Sequence, residues 1–418
     1  MESVPARDSA EAPGDDRAHV DATASQPTNA PSRSAAPGEA VAIAALALAA
    51  FSLNLNTNVL GALLPFVRDE LDGAAWPLLA AAGFGSAAGA LAFDRLARRV
   101  GRRRALVLGL AGFVLASALH LAPGPYGWLL ALRGAAGVAV GVAYAAASAL
   151  VAELAPYGRR GAAMGRFNAG MFLAIPVGLP LSVAFATAGA WRAIFGVQAA
   201  VAAIGLWCAL RAVPATPPET GRGELRAVLR VGAARAGLLA TLLHVGSFFV
   251  TVQLATTWLD ATGRLPKAEQ TGVWVGLGLC AVAGSALFGR VSDAVGKRRF
   301  VLWTSALLVA CFLFLATEPA ALPLLLVGGG CAIVASARTG PLQALVSGAV
   351  PQAQLDALMS WRGACMQAGV GLFALNAGSI FASYGFPGVL CLAAAWQTLS
   401  FVVLRIGANE PPAHNDPA

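Results

Sequence analysis

GALAFDRLARRVGRRR, residues 89–104, closes an apolar run of membrane length with six arginines: Arg95, Arg98, Arg99, Arg102, Arg103 and Arg104. Another apolar run follows at once. The pattern returns at residues 284–299 as GSALFGRVSDAVGKRR. A shift of 195 residues carries Gly89 onto Gly284, Phe93 onto Phe288, Arg95 onto Arg290 and Gly101 onto Gly296. It also carries Arg102, Arg103 and Arg104 onto Lys297, Arg298 and Arg299. No gap is needed. A short basic loop with its flanking helices has been duplicated inside a membrane protein.

Composition sets the same class. The chain is 57% hydrophobic and 12% charged, with a mean hydropathy of +0.68; a soluble domain carries ~25% charged residues. The net charge of +8 is no nucleic-acid signal, because the basic residues sit in short loops between apolar runs. The six cysteines lie inside apolar runs without CxxC or CxxH spacing, so they read as small buried hydrophobes. No metal or cofactor is expected. The Gly296-Lys297 pair lacks the Gly and Ser/Thr that a phosphate loop needs, and no HExxH, paired carboxylates or Cys/His nucleophile stands at membrane depth. An enzyme is not expected.

About 20 apolar residues suffice to span a bilayer. Twelve runs meet that length, at about 41–66, 76–96, 105–122, 126–154, 161–187 and 191–210, then 236–259, 271–291, 300–317, 321–346, 357–383 and 386–407. The predicted fold class is therefore an all-α membrane protein of twelve helices in two pseudo-symmetric six-helix bundles. The predicted organisation is a disordered N-terminus (1–38), a first bundle (39–211), a linker (212–235) carrying a short helix from Gly223, a second bundle (236–408) and a tail (409–418). Lys and Arg crowd alternate loops, as cytoplasmic loops do. Both termini and the linker are thus expected in the cytoplasm, and the lipid bilayer is the expected surrounding.

Polar residues at membrane depth are costly and default to functional hypotheses. Asn54 and Asn58 share one face of the first helix by i, i+4 spacing. Arg133, on the fourth, lies nearly level with Asn58. The pair is read as part of a substrate site; the alternative is that Arg133 snorkels and the asparagines cross-link helices. In the second half His244 and Arg338 lie level, and a neutral histidine beside a cation is a candidate titrating group. Gln253 is the duplicate of Asn58. Gly170, Pro176, Gly178 and Pro180 suit a bent fifth helix packed closely on a neighbour. The first helix has no carboxylate at depth, which weakens proton coupling by that route.

The two basic loops resemble the G-x-x-x-D-x-x-G-R-[RK]-R motif of the major facilitator superfamily. The second loop, Gly289 to Arg299 with Asp293 and Gly296, is the better match. In the first, Asp94 stands for the motif's Gly and Arg98 for its Asp. Arg133, Gly137 and Gly141 look like the family's helix-4 motif, and the fifth-helix set, leading to Trp191-Arg192, is similar to its antiporter signature. The stretch is most similar to bacterial sugar-efflux and drug:proton antiporters.

The resemblance implies a monomeric inner-membrane transporter. It would export a small organic molecule (a drug, sugar or metabolite) by alternating access, coupled to protons. An uptake or facilitated-diffusion carrier for a small organic anion stays open, and a non-transporting receptor is the remote alternative. The resemblance also implies a cytoplasmic gate built from Asp94, Arg95, Arg98, Gly101, Arg102, Arg290, Asp293, Gly296 and Arg299. Asp293 is expected to face the start of the fifth helix near Gly161, held by Arg290 and Arg299. The first-half counterpart is expected to be missing or rebuilt around Asp94, since Arg98 cannot favour the positive end of a helix.

Overall fold

The computed structural model describes residues 37–71, 75–217, 225–263 and 267–408. The expected tails, residues 1–36 and 409–418, lie outside them. The first half runs α1 (Pro37–Leu71), α2 (Ala75–Val100), α3 (Arg102–Leu119), α4 (Tyr126–Leu154), α5 (Arg160–Thr187) and α6 (Ala193–Ala212). One turn of helix in the linker, α7 (Leu225–Val228), precedes α8 (Gly232–Thr262), α9 (Lys267–Val295), α10 (Lys297–Leu315), α11 (Ala321–Ser347) and α12 (Leu355–Gly407). The α12 helix spans both of the last two expected segments. It is broken at Gly385 (φ 65°, ψ −165°), a backbone state that glycine tolerates and other residues resist. Pro387 follows within one turn.

Among the described residues, nine helical segments are long and apolar enough to cross a membrane, and one of them is this broken double-length helix. The α3 helix begins with three arginines and falls outside that count. Large apolar side chains cover the outer faces, among them Phe84, Leu115, Trp207, Trp303, Leu375 and Ile406. The chain is a multi-pass membrane protein.

The helix contacts repeat between the halves. In the first half α1 packs on α5 and α6, α2 on α4, and α3 on α4 and α6. In the second α8 packs on both arms of α12, α9 on α11, and α10 on α11 and α12. The halves meet where α5 touches α9 and α11, and where α12 touches α2 and α4. These are the same contacts with the halves exchanged, as a pseudo-two-fold requires.

Small residues set the distances. Lipid tails are as apolar as leucine, so membrane helices gain from close backbone approach. A Cβ on Gly141 would lie 2.0 Å from the Ser86 carbonyl oxygen, and one on Gly89 2.1 Å from that of Val138. The helix-4 pattern Arg133-x3-Gly137-x3-Gly141 thus places α4 directly on α2. Gly101 and Gly296, at φ 86° and 94°, make the two tight turns between α2 and α3 and between α9 and α10. The basic loops are single-residue hinges of the same geometry in both halves.

Candidate functional site

At the basic-loop end the two halves are tied together twice. Asp293, in the last turn of α9, reaches the first turn of α5 in the other half. Its Oδ1 accepts from the Gly161 N–H at 3.0 Å and its Oδ2 from the Ala162 N–H at 2.8 Å. These N–H groups have no partner within their helix, and the helix start is electropositive. Asp293 thus lies at the helix start that the family resemblance implied. Its cation differs from expectation: Lys297 Nζ is 2.9 Å from Oδ1, while Arg290 and Arg299 are exposed. Lys297 is buried and held over the Tyr157 ring at 4.3 Å, which fixes it beside the carboxylate.

The second tie is made differently from the expected latch around Asp94. Arg102 Nε donates to Asp356 Oδ1 at 2.7 Å, with both side chains 5% exposed, and Arg102 Nη1 donates to Glu153 Oε2 at 2.9 Å. Asp356 stands in the first turn of α12, where a carboxylate suits the helix dipole. Burial works against the Arg102 charge, but Asp356 and Glu153 outweigh it and hold its pKa above the ordinary guanidinium value. Asp94 is buried and its carboxylate pairs with Arg98 one turn along its own helix. Its cross-half bond comes from its backbone N–H to Ser360 Oγ at 3.1 Å. The i, i+4 spacing explains the pairing: Arg98 stands one turn along on the same face and holds the carboxylate. Arg95 is exposed. Gly101 lies under Thr216 of the linker, whose hydroxyl accepts from the Arg103 N–H at 2.9 Å.

Deeper in the helices, Arg133 is 1% exposed. Its Nη1 donates to Asn56 Oδ1 at 2.7 Å and its Nη2 to the Asn56 carbonyl at 3.1 Å. Asn56 is the partner that the i, i+4 argument passed over. Asn54 Nδ2 donates to the Met171 carbonyl at 2.8 Å, tying α1 to α5. The side chains of Asn58 and Gln253 lie outside the described residues.

His244 is buried within the second half. The Gln397 amide nitrogen is 3.0 Å from its Nδ1, and the Thr339 hydroxyl is 3.5 Å from its Nε2. Gln397 donates also to Ser247 Oγ at 2.8 Å, and Thr339 donates to the Ala335 carbonyl at 3.1 Å. A neutral ring protonated on Nε2 satisfies all four. Arg338, fully buried, donates through Nη2 to Ser400 Oγ at 2.7 Å.

A polar bridge joins the halves between these groups. Tyr144 on α4 donates to Asn168 Oδ1 on α5 at 3.2 Å, and Asn168 Nδ2 donates to Gln343 Oε1 on α11 at 3.1 Å. Arg362, on α12, is buried beside the Tyr144 hydroxyl. None of these four was singled out from sequence. They stand on four different helices, and only tertiary packing brings them together. Above them α5 runs unbroken through Pro176 and Pro180. Pro176 is buried against Gly278 of α9, and Gly170 lies against the Ala47 carbonyl of α1. The Gly178 carbonyl accepts from Ser182 Oγ at 2.6 Å. No group of three or more metal-ligating side chains occurs among the described residues.

The chain is thus a membrane protein of two pseudo-symmetric helical bundles, tied by polar contacts at one end and holding polar side chains along their joint. The Major Facilitator Superfamily model matches residues 46–265 and 237–418, and the chain belongs to that family. A "Probable sugar efflux transporter" of Pasteurella multocida (strain Pm70) is 29% identical over 230 residues, covering 54% of this chain and 56% of that protein. Its namesake in Mannheimia succiniciproducens is 27% identical over 221 residues, covering 52% and 55%. The matched stretch thus spans about half the length of these relatives. Among solved structures, the human organic anion transporter MFSD10 superposes with a TM-score of 0.72 at 18% identity, covering 88% of this chain and 100% of that one. FucP in the outward conformation gives 0.73 at 15%, covering 89% and 100%. At these identities the likeness is one of fold.

Proposed function

We propose that this chain exports a small organic molecule (a drug, sugar or metabolite) by alternating access, coupled to protons. The basic-loop end and both termini face the cytoplasm of a bacterial inner membrane, and the functional unit is a monomer. One observation carries the reading. The two halves are held at the loop end by an ion pair and a helix-end contact, which can part without unfolding either bundle. Transport by alternation needs such a gate. Positive-inside loop charge supports the orientation, and the sugar-efflux relatives support export. Substrate accumulation in inverted vesicles, with and without an imposed proton gradient, tests it. Uptake only into inverted vesicles, stimulated by inside-acid conditions, is expected; gradient-independent equilibration in both directions would replace export by facilitated diffusion.

A further inference from the structure

We propose that the bridge of Tyr144, Asn168, Gln343 and Arg362 is an anion site, and that the transported molecule carries a carboxylate or a similar oxyanion. The proposal rests on the transporter reading and names its substrate class.

The argument is one of donors and acceptors. Within the bridge, Tyr144 donates to Asn168 and Asn168 donates to Gln343. Each amide oxygen of the bridge thus already has a donor. What remains is a surplus of N–H groups. Gln343 Nε2 and Arg362 Nε are buried with no partner among the described residues, and their side chains are 0% and 3% exposed. Nearby, Arg338 is fully buried and its Nε and Nη1 are likewise unpartnered. The buried carboxylates among the described residues are Asp94 and Asp356, and both are paired with arginines at the loop-end gate. No described carboxylate at the bridge balances Arg362.

A buried donor without an acceptor, and a buried cation without an anion, are both costly. A ligand with two adjacent anionic oxygens meets both needs, because the guanidinium fork matches it geometrically. The amide of Gln343 can serve the same group from the facing half. The bridge draws one residue each from α4 and α5, and one each from α11 and α12. An anion held there would contact both halves at once. Binding and release would then bias the joint that the gate below must open.

Purified protein at constant ionic strength is heated with gluconate or benzoate, and in parallel with the uncharged analogues sorbitol or benzamide. Saturable stabilisation by at least one carboxylate, absent with its neutral analogue, is expected. Its apparent affinity should fall at least tenfold in Arg362→Gln, fall less in Gln343→Leu and fall to an intermediate value in Arg362→Lys, which keeps the charge but not the fork. The lysine variant and the ligand-free melting of each protein separate loss of binding from loss of fold. Equal stabilisation by the neutral analogues, an unchanged carboxylate effect in Arg362→Gln, or no carboxylate effect at all would overturn the proposal. Labelling of a cysteine at the gate is followed in the same samples. If the gate still alternates while carboxylates do nothing, the anion class falls and the transporter reading stands; if the gate never opens, the transporter reading itself fails.

Discussion

Arg102 and Asp356 occupy, with opposite chemistry, the place that Lys297 and Gly161 occupy across the pseudo-two-fold. The 195-residue shift carries Arg102 onto Lys297 and Gly161 onto Asp356. In one half a loop carboxylate, Asp293, meets bare helix N–H groups with Lys297 beside it. In the other, the equivalent of Asp293 is Arg98, and the helix start supplies its own carboxylate to a loop arginine. Both arrangements put negative charge on the positive end of a helix. The loop end is held twice by one principle with the partners exchanged.

Asp356→Asn should weaken closure most. Removing one partner of a buried ion pair costs about 3–5 kcal/mol. The lower figure applies because Glu153 remains on Arg102, and it corresponds to about a hundredfold in population. Labelling of a cysteine placed in the loop-end path should rise accordingly. The pair Arg102→Met with Asp356→Leu should lie nearer the wild type than either single change. Unchanged labelling in Asp356→Asn would show that this pair does not hold the gate.

Asp293→Asn should cost less, about 1–2 kcal/mol, the scale of a partly buried charge at a helix end. Opening should rise about five- to thirty-fold. Asp94→Asn should change labelling little, because the cross-half bond of Asp94 comes from its backbone and its carboxylate serves Arg98. Comparing the labelling rates of the two variants checks this order; the reverse order would return the first-half latch to Asp94.

Arg133→Ala is expected to abolish transport while the protein still reaches the membrane. Asn56→Ala should lower transport too, because an unmet hydrogen bond to a buried charge costs about 1–3 kcal/mol. Transport assayed beside membrane abundance decides it. Wild-type transport by Arg133→Ala would leave the arginine as a cross-link between α1 and α4.

If His244 carries the coupling proton, His244→Gln flattens the pH dependence of transport across the acid range. A protonated ring would need its Nδ1–H accepted. Gln397 Oε1, buried and unpartnered among the described residues, can do so if the amide turns over. Gln397→Leu should therefore act in the same direction. Initial rates across that range are the measurement, and an unchanged profile in both variants leaves the pair as packing.

Gly170→Ala should destabilise the first bundle by about 1–3 kcal/mol, the range for overpacking, because its Cβ would lie 2.1 Å from the Ala47 carbonyl oxygen. Gly134→Ala, with nothing within 4 Å, should be neutral or slightly stabilising, since alanine is the better helix former. Thermal unfolding in detergent distinguishes the two.

By itself the sequence determined the class, the number of apolar runs and the duplication of the basic loop. Each depends on local quantities: run length against bilayer thickness, and the spacing of small and basic residues. That Asp293 faces the start of α5 was expected only from the resemblance of the basic loops to a family motif, not from any local quantity. Tertiary structure alone decided which partners meet. Arg98 claims Asp94 within one helix, Lys297 displaces Arg290 and Arg299, and Asp356 answers Arg102 across 254 positions. The bridge of Tyr144, Asn168, Gln343 and Arg362 is the clearest case. Its members are isolated polar residues on four helices, and only the rotation of each helix about its axis, set by close packing at glycines and alanines, turns them toward one another. Periodicity shows which residues share a face of one helix; it does not show which face of another helix they will meet.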